Sequence, residues 1–370
     1  MKFSQAKDLA LISAIYFKGV IHVSLSSYFK NLFSDKKSLQ KVDILLEQEG
    51  IRRDTNSDYI CAMFDEDLNI IATGSCFGNT LRCLSVDHHY QGDGLLNEIV
   101  THLIHIQFER GNTHLFLYTK PDTAKFFKDL GFYEIVRADQ QIVFMENKKD
   151  GFSNYLKNLK KSDSKPQTTA ALVINANPFT LGHQYLIEKA SVENDLLHLF
   201  IVSEDSSLIP FSVRKQLVLE GTAHLSNVCY HETGPYIISK STFPSYFQKD
   251  QDSIIESQAR IDLAIFTQIA KYLGINKRYV GEEPTSLVTS IYNQIMLQEL
   301  PKQAIDCIVI PRKTYKNGPI SASTVRKALK EGNNQILKDL LPLTSLTYFL
   351  SPEAQPLIKK IRKTDNVSHY

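Results

Sequence analysis

The sequence predicts two unlike halves: an α+β domain, then a doubly wound α/β domain, joined by a polar seam. Three observations carry this. Before residue 147 a run of strands precedes mixed helices and strands. After residue 169 short apolar strands alternate regularly with helices, the pattern of a parallel sheet covered on both faces. Between them lies Asn147–Thr169, NKKDGFSNYLKNLKKSDSKPQTT, rich in Lys, Ser and Asp and closing on the linker-like run Lys160–Thr169 with Pro166. At 370 residues the chain has room for two domains of ordinary size.

The N-terminal stretch MKFSQAKDLALISAIYFKGVIHVSL is interrupted by Lys7, Asp8, Lys18 and His22, so it reads as mature sequence rather than a leader. Asp58–Asp65, Asn69–Cys76 and Thr80–Val86 read as strands, the first two joined through the turn Glu66–Leu68. Leu95, Ile99, Leu103, Ile106 and Phe108 predict an amphipathic helix over Leu95–Arg110. His114–Thr119 reads as a strand and Asp122–Leu130 as a helix closed by Gly131, with Ile142–Met145 a last strand. Phe152–Leu159 is a short connecting helix inside the seam. The second half reads as strands at Ala170–Ile174, Leu197–Val202, Arg278–Val280 and Ile305–Ile310. Its helices are expected at Gly182–Glu193, Phe211–Thr222, Ile254–Leu273, Leu287–Leu300 and Ser323–Lys330. Leu340–Tyr370 reads as a helix and then a loose tail. The expected boundaries are 1–147, a linker at 148–169, 170–345 and a tail at 346–370.

Composition narrows the class. Hydrophobic residues at 43% and charged residues at 22% are the balance of a folded chain. A formal net charge of +2 provides no field to recruit nucleic acid, and the longest apolar runs, Ala170–Ile174 and Leu196–Val202, are too short to span a bilayer. Five scattered cysteines (Cys61, Cys76, Cys83, Cys229, Cys307), with no C-x-x-C pair, fit buried, reduced thiols in a cytoplasm. The pairs His88–His89 and His102/His105 lack a suitably spaced carboxylate or cysteine, so no metal centre is expected from them. A cytoplasmic protein without nucleic-acid or membrane partners follows.

Two segments carry chemistry. The first strand of the second half runs through Asn175 into Asn177-Pro178-Phe179-Thr180-Leu181-Gly182-His183 and a helix. Strand, tight turn and helix N-terminus bring free backbone N–H groups and a positive dipole end together, the requirements of a phosphate site. Gly182 permits close approach, and Thr180 and His183 can donate to phosphate oxygens. Near the far end, Gly318-Pro319-Ile320-Ser321-Ala322-Ser323-Thr324-Val325-Arg326 is again a loop, hydroxyl caps and a helix start. Ser321, Ser323 and the guanidinium of Arg326 suit terminal phosphates.

These segments resemble the T/H-x-G-H and I-S-S-T-x-V-R signatures of the nucleotidyltransferase superfamily related to class I aminoacyl-tRNA synthetases. Ala322 stands where that pattern has a serine, and Ser323 where it has the threonine. The resemblance implies that ATP is held, with Mg²⁺, so that an oxyanion attacks the α-phosphorus. His183, Thr180, Ser323 and Arg326 would stabilise the departing pyrophosphate. Asn175, Asn177, Pro178, Phe179, Gly182 and Ser321 would line the nucleotide site. Arg214 could reach the phosphates or the acceptor, and Arg312 and Lys313 follow a strand's carboxyl end. Glu282–Glu283 reads as a solvated acidic pair.

The wider stretches NANPFTLGHQYLIEKA, Ser239-Lys240-Ser241-Thr242-Phe243-Pro244-Ser245-Tyr246-Phe247 and VGEEP resemble the citrate lyase ligases. That resemblance implies activation of acetate as acetyl-adenylate, releasing pyrophosphate and then AMP. The acceptor would be the dephospho-coenzyme-A-derived thiol on the acyl carrier subunit of citrate lyase. Alternatives are an acetate ligase acting on tRNA, adenylyl transfer to a phosphorylated small molecule, and a carrier-binding adaptor with a vestigial site.

In the first half, Gln91-Gly92-Asp93-Gly94-Leu95-Leu96 follows a strand and opens a helix, and Gly131-Phe132 closes a later one. Both resemble elements of the GNAT acetyltransferases, whose glycine loop holds the pyrophosphate of acetyl-coenzyme A. Two positions depart from the pattern: Leu96 replaces a small residue, and Phe127 stands where a catalytic tyrosine is common. The departures count against acetyl transfer and leave two expectations, binding of a coenzyme-A-like arm through Gln91, Gly92 and Gly94, or a degenerate domain kept for packing.

Overall fold

In the computed structural model, which describes residues 30–32, 34–138, 142–162, 166–237, 251–282, 287–316 and 318–367, the first half is built on a seven-stranded mixed sheet. Its elements are β1 (Lys30–Asn31), α1 (Lys36–Gln48), β2 (Tyr59–Phe64), β3 (Ile70–Phe77), β4 (Thr80–Val86), α2 (Leu95–Glu109), β5 (Phe116–Thr119), α3 (Ala124–Asp129), β6 (Tyr133–Ala138) and β7 (Ile142–Glu146). The sheet order is β1-β2-β3-β4-β5-β7-β6. All neighbours are antiparallel except β4 and β5, which run parallel and pair only at Thr80–Phe116 and Leu81–Leu117. Helices cover both faces, which is why β2 and β3 are buried almost throughout. Val42, Leu45 and Leu46 of α1 pack on Ile60, Ala62 and Ile70. Leu95, Ile99 and Leu103 of α2, with Phe127 of α3, pack on the opposite side with Leu81 and Leu117. This is the α+β domain expected from the sequence.

The second half begins with α4 (Gly151–Asn158) and continues through β8 (Thr169–Ile174), α5 (Leu181–Val192), β9 (Leu196–Ile201), α6 (Phe211–Gly221), β10 (Val228–Glu232), α7 (Gln251–Leu273), β11 (Lys277–Gly281), α8 (Leu287–Glu299) and β12 (Asp306–Ile310). The short hairpin β13 (Thr314–Tyr315) and β14 (Gly318–Pro319) leads into α9 (Ala322–Glu331), α10 (Asn334–Leu340), α11 (Leu343–Leu350) and α12 (Gln355–Lys363). Five parallel strands lie in the order β10-β9-β8-β11-β12, a doubly wound sheet whose direction of growth reverses between β8 and β11. Those two strands pair at Lys277–Ala170 and Arg278–Ala171, near the amino end of β8, leaving a crevice toward their carboxyl ends. No described helix is long and apolar enough to cross a membrane.

Two expectations need correction. The seam is no free linker: Phe152 and Leu159 are buried in a core shared by both halves. Phe116, Tyr118 and Phe144 of the first sheet meet Ala171 and Phe200 of the second there. Ala259, Ile265 and Phe266 of α7 belong to the same core, with α7 packed against β6. The last segment is no loose tail either. Phe349, Ile358, Ile361 and Val367 are buried in the main core of the second half. Of the two closing helices α12 packs on α9 and α11 on α6, and burial of these apolar residues holds both down.

Glu146 pins the seam. Its carboxylate, 3% exposed, accepts from Phe152 N–H at 2.7 Å, the Tyr236 hydroxyl at 3.0 Å and His114 Nε2 at 2.6 Å. Gly151 must lack a side chain here, because a Cβ would lie 2.1 Å from Glu146 Oε2. On the second sheet His198 Nδ1 and His231 Nε2 lie 2.8 Å apart on neighbouring strands, both rings buried. Burial lowers their pKa values from 6.5 to about 4 and about 3, with the two rings' mutual repulsion adding for His231.

Glu146→Leu should cost about 3–5 kcal/mol in urea unfolding, since three donors lose a buried acceptor, and Gly151→Ala should also destabilise. Glu146→Gln should cost less, about 1–2 kcal/mol. The histidine pair makes stability depend on pH: unfolded rings take up protons near pH 6.5 while folded ones stay neutral to about 4 and 3. Their contribution is complete above about pH 6.5 and is lost as the pH falls from there. Urea midpoints should drop across that window, and less steeply in a His198→Leu/His231→Leu double variant.

Candidate functional site

The chain leaves β8 at Asn175, turns at Ala176 (φ 50°), passes the cis Asn177–Pro178 bond and enters α5 at Thr180. Thr180 is the N-cap: its backbone is extended (φ −122°, ψ 167°) and its Oγ1 accepts from His183 N–H at 3.4 Å. His183 returns the bond in a capping box, its Nδ1 accepting from Thr180 N–H at 3.2 Å and lying 2.8 Å from Thr180 Oγ1. A backbone N–H can only donate, so Nδ1 carries no proton and the ring's hydrogen is on Nε2. Burial lowers the His183 pKa to about 4, and the charge of Arg312 pushes it the same way. The partly accessible ring is thus a neutral donor held in one orientation at a helix N-terminus.

The second motif abuts the first. A Cβ on Gly182 would be 3.4 Å from the Ile320 carbonyl oxygen, so the loop before α9 runs directly against the start of α5. Ser321 caps α9, accepting from Ser323 N–H at 3.2 Å, and the two hydroxyls are hydrogen-bonded. Arg326 is buried and donates through Nη1 to the Asn177 carbonyl and through Nε to the Val367 carbonyl, both at 2.6 Å. Burial lowers its pKa to about 10, which leaves it charged. Two helix N-termini therefore meet beyond the carboxyl end of β8, where such sheets present ligands.

Other sequence-predicted residues land around this junction in different roles. Arg214 is fully buried. Its Nη1 donates to the carbonyls of Asn175 (2.7 Å) and Val202 (2.8 Å) and to Asn175 Oδ1 (2.8 Å). Nη2 reaches the Glu204 carbonyl at 2.6 Å and Nε the Ile209 carbonyl at 3.0 Å. It sits beneath the site and ties the ends of β8 and β9, where carbonyls have run out of ladder partners. Pro178 and Phe179 are buried, and Phe179 packs on Gly221, where a Cβ would be 2.3 Å from its ring; both anchor the loop from behind. Asn175 also bonds Ser207 Oγ at 3.2 Å. Asn177 Oδ1 accepts from Ile209 N–H at 3.2 Å, while its buried Nδ2 has no partner among the described residues. Arg312 donates to the Glu282 carbonyl at 2.9 Å, and exposed Lys313 has its ammonium 5.8 Å from the Tyr185 ring centre. The stretch Ser239–Phe247 and Glu283 lie outside the described residues.

The loop after β9, Ser203–Ser206, was not singled out from the sequence. It walls a cavity of about 490 Å³ between the halves. The signal was present: a polar SEDSS run directly follows an apolar strand, at the carboxyl edge of the sheet.

In the first half, Gln91, Gly92 and Gly94 line a cleft of about 480 Å³ with Leu84, Tyr118 and Phe127. Gly92 (φ 102°) and Gly94 (φ 81°) hold conformations that favour glycine, and Gly94 caps α2. Gln91 Nε2 contacts the Val86 carbonyl at 3.3 Å. Phe127 is buried in the wall and gives the cleft no hydroxyl.

Comparison with known proteins gives consistent matches. The model of the citrate lyase ligase C-terminal domain matches residues 169–349. The citrate (pro-3S)-lyase ligase of Haemophilus influenzae (strain ATCC 51907 / DSM 11121 / KW20 / Rd) is 38% identical over 326 residues, covering 86% of this chain and 97% of that one. The Escherichia coli (strain K12) ligase is 38% identical over 322 residues, covering 85% and 91%. That of Klebsiella pneumoniae is 35% identical over 325 residues, covering 86% and 94%.

Proposed function

The chain belongs to the citrate lyase ligase family, and we propose that it activates acetate with ATP as acetyl-adenylate and then acetylates the carrier thiol of citrate lyase. The observation that carries this reading is the junction of the α5 and α9 N-termini, locked by Gly182 against Ile320 and by Arg326 on Asn177. Two positive dipole ends meet there, with the neutral ring of His183 in the first turn of one helix and the charge of Arg312 near enough to act on that ring. A polyphosphate is the ligand that such a convergence suits best. The unpartnered Nδ2 of Asn177 adds a donor that a nucleotide could satisfy.

Within this reading an acetate oxygen attacks the α-phosphorus and pyrophosphate leaves. The chain supplies no covalent nucleophile. Its residues hold reactants in line and stabilise charge on the departing group. His183, Thr180, Ser321, Ser323 and Lys313 would face the phosphates. Arg214 and Arg326 would act through the backbone they fix, Arg326 keeping its charge one turn into α9. Mg²⁺, when present, would be carried mainly by phosphate oxygens and would neutralise charge there. Gln91, Gly92 and Gly94 would hold the pyrophosphate of the dephospho-coenzyme-A-derived arm, whose thiol takes the acetyl group as AMP leaves.

The test is acetate-dependent exchange of labelled pyrophosphate into ATP with Mg²⁺. His183→Ala should lower the exchange rate about 10²–10³-fold, as removal of one preorganised donor does. The profile should lack an inflection at the ordinary histidine value of 6.5, because His183 stays neutral to about pH 4. Absence of exchange with acetate, even with the thiol carrier added, would overturn the reading and point to adenylyl transfer to a phosphorylated small molecule.

A further inference from the structure

We propose that His198, Cys229 and His231 form a metal site, a set of two imidazoles and one thiolate that takes zinc and fastens the edge strand β10 to β9. It is separate from the phosphate junction and does not rest on the function proposed above. His198 and Cys229 stand near the amino ends of β9 and β10, whereas the phosphate junction lies beyond the carboxyl end of β8.

Sheet register brings the three side chains together. The two strands run parallel, with Cys229 opposite His198 and His231 opposite Phe200. Side chains two apart on a strand share a face, and in-register neighbours share it across strands. All three therefore point to the face that carries the core shared by both halves, where the His231 ring stacks on Phe200 with centres 4.7 Å apart. One ring nitrogen of each histidine and the Cys229 sulfur lie within 4.8 Å of one another. Spacing along the chain does not reveal the set, because 33 positions separate His198 from His231 and only strand pairing joins them.

The rings are prepared to ligate. His198 Nδ1 and His231 Nε2 are 2.8 Å apart, so a single hydrogen serves both nitrogens. His198 is fully buried and its Nε2 has no partner among the described residues. No second bond dictates where its hydrogen sits, and either nitrogen can present a lone pair to a cation. An orphaned buried nitrogen of this kind calls for an explanation, and a bound ion is one. Burial keeps both rings unprotonated, as ligation requires.

The donors select the metal. Zinc lies about 2.0–2.1 Å from nitrogen and about 2.3 Å from sulfur, which sets tetrahedral ligand atoms about 3.3–3.6 Å apart. The facing nitrogens need to part from hydrogen-bond distance by only about half an ångström. Magnesium and calcium take oxygen ligands and are poorly served by this set. Cys229 is half-buried, so solvent can supply a fourth ligand from its side.

Cys229 Sγ also contacts the Lys160 carbonyl oxygen at 3.8 Å, at the end of the seam that follows α4. The charge of Lys160 favours the thiolate. On binding, the thiol proton passes to solvent and a zinc–sulfur bond replaces the contact with that carbonyl. Each neutral ring keeps its one hydrogen, on the nitrogen turned away from the metal. Because β10 is the edge of its sheet, a cation bridging it to β9 ties down a strand that has a neighbour on one side only.

The test uses the full chain, stripped with a chelator and titrated with cobalt(II), whose bonds to thiolate sulfur absorb in the near ultraviolet. One equivalent should raise that band together with the visible absorption of a tetrahedral ion, and zinc should displace it. The band should disappear in Cys229→Ser and persist in Cys307→Ser. Zinc affinity should fall at least about a hundredfold in Cys229→Ser, more than the loss of an outer-shell partner costs. A second readout needs no variant: zinc should slow iodoacetamide alkylation of Cys229 about tenfold or more, read by peptide mass, with Cys307 unchanged. Cobalt held only by the exposed group Asp87, His88 and His89 would give no thiolate band and would overturn the site. So would a band that survives Cys229→Ser, or equal alkylation of Cys229 with and without zinc. None of these readouts involves ATP or acetate, so failure of the function proposed above is a separate result.

Discussion

A single buried guanidinium brings together the parts of the chain that must meet for two helix N-termini to lie side by side. Arg326 lies 149 positions from Asn177, yet its Nη1 holds that residue's carbonyl, and its Nε holds the carbonyl of Val367 at the chain's other end. A charge taken out of water demands partners, and backbone carbonyls at loop ends demand donors; each need meets the other here. Arg214 repeats the device under β8 and β9 with five hydrogen bonds to backbone and Asn175. The site thus owes its shape to two arginines that stand behind it. Their rigid forks can join several carbonyls at once, which the point charge of a lysine could not do as well.

The two motifs were legible because their chemistry is local. Thr180 and His183 form a capping box three residues apart, and Ser321 caps α9 with its neighbour Ser323, so short-range hydrogen bonding writes itself into short words. The doubly wound sheet was legible for a similar reason, since buried parallel strands are nearly all apolar. What escaped was decided at long range. Arg214 reads as a phosphate ligand from its place at a helix start, and only the tertiary structure shows its donors turned onto carbonyls. Edge strands β6 and β10 carry exposed or half-buried residues such as Tyr133, Glu134 and Cys229, which break the apolar pattern by which central strands are found. The closing helices look loose in the sequence because their apolar residues are meaningful only against α6 and α9.

The seam was misread for an instructive reason. Lys, Ser and Asp make a linker by composition, but the few apolar residues among them are the ones that matter. Phe152, Tyr155 and Leu156 pack at the interface, and Tyr155 donates to the Glu232 carbonyl at 3.0 Å. With α4 and α7 shared between two sheets, the halves form one continuous core. Neither sheet could be removed without exposing the apolar face of α7, an amount of uncovered surface that folded chains avoid. The relation between the cleft of the first half and the crevice of the second is therefore set by packing rather than by tether length.

That rigidity matters for the chemistry. A catalyst that works by positioning, without a covalent nucleophile, gains only as much as its donors are fixed before the substrate arrives. His183 meets this condition twice over. The capping box fixes which ring nitrogen bears the hydrogen, and burial with the nearby charge of Arg312 keeps the ring neutral down to about pH 4. Burial does most to keep His183 neutral, and the positive field of Arg312 that adds to it would also favour an anion at the same place. The ring is consequently a neutral group able to donate one directed hydrogen bond at any pH well above about 4.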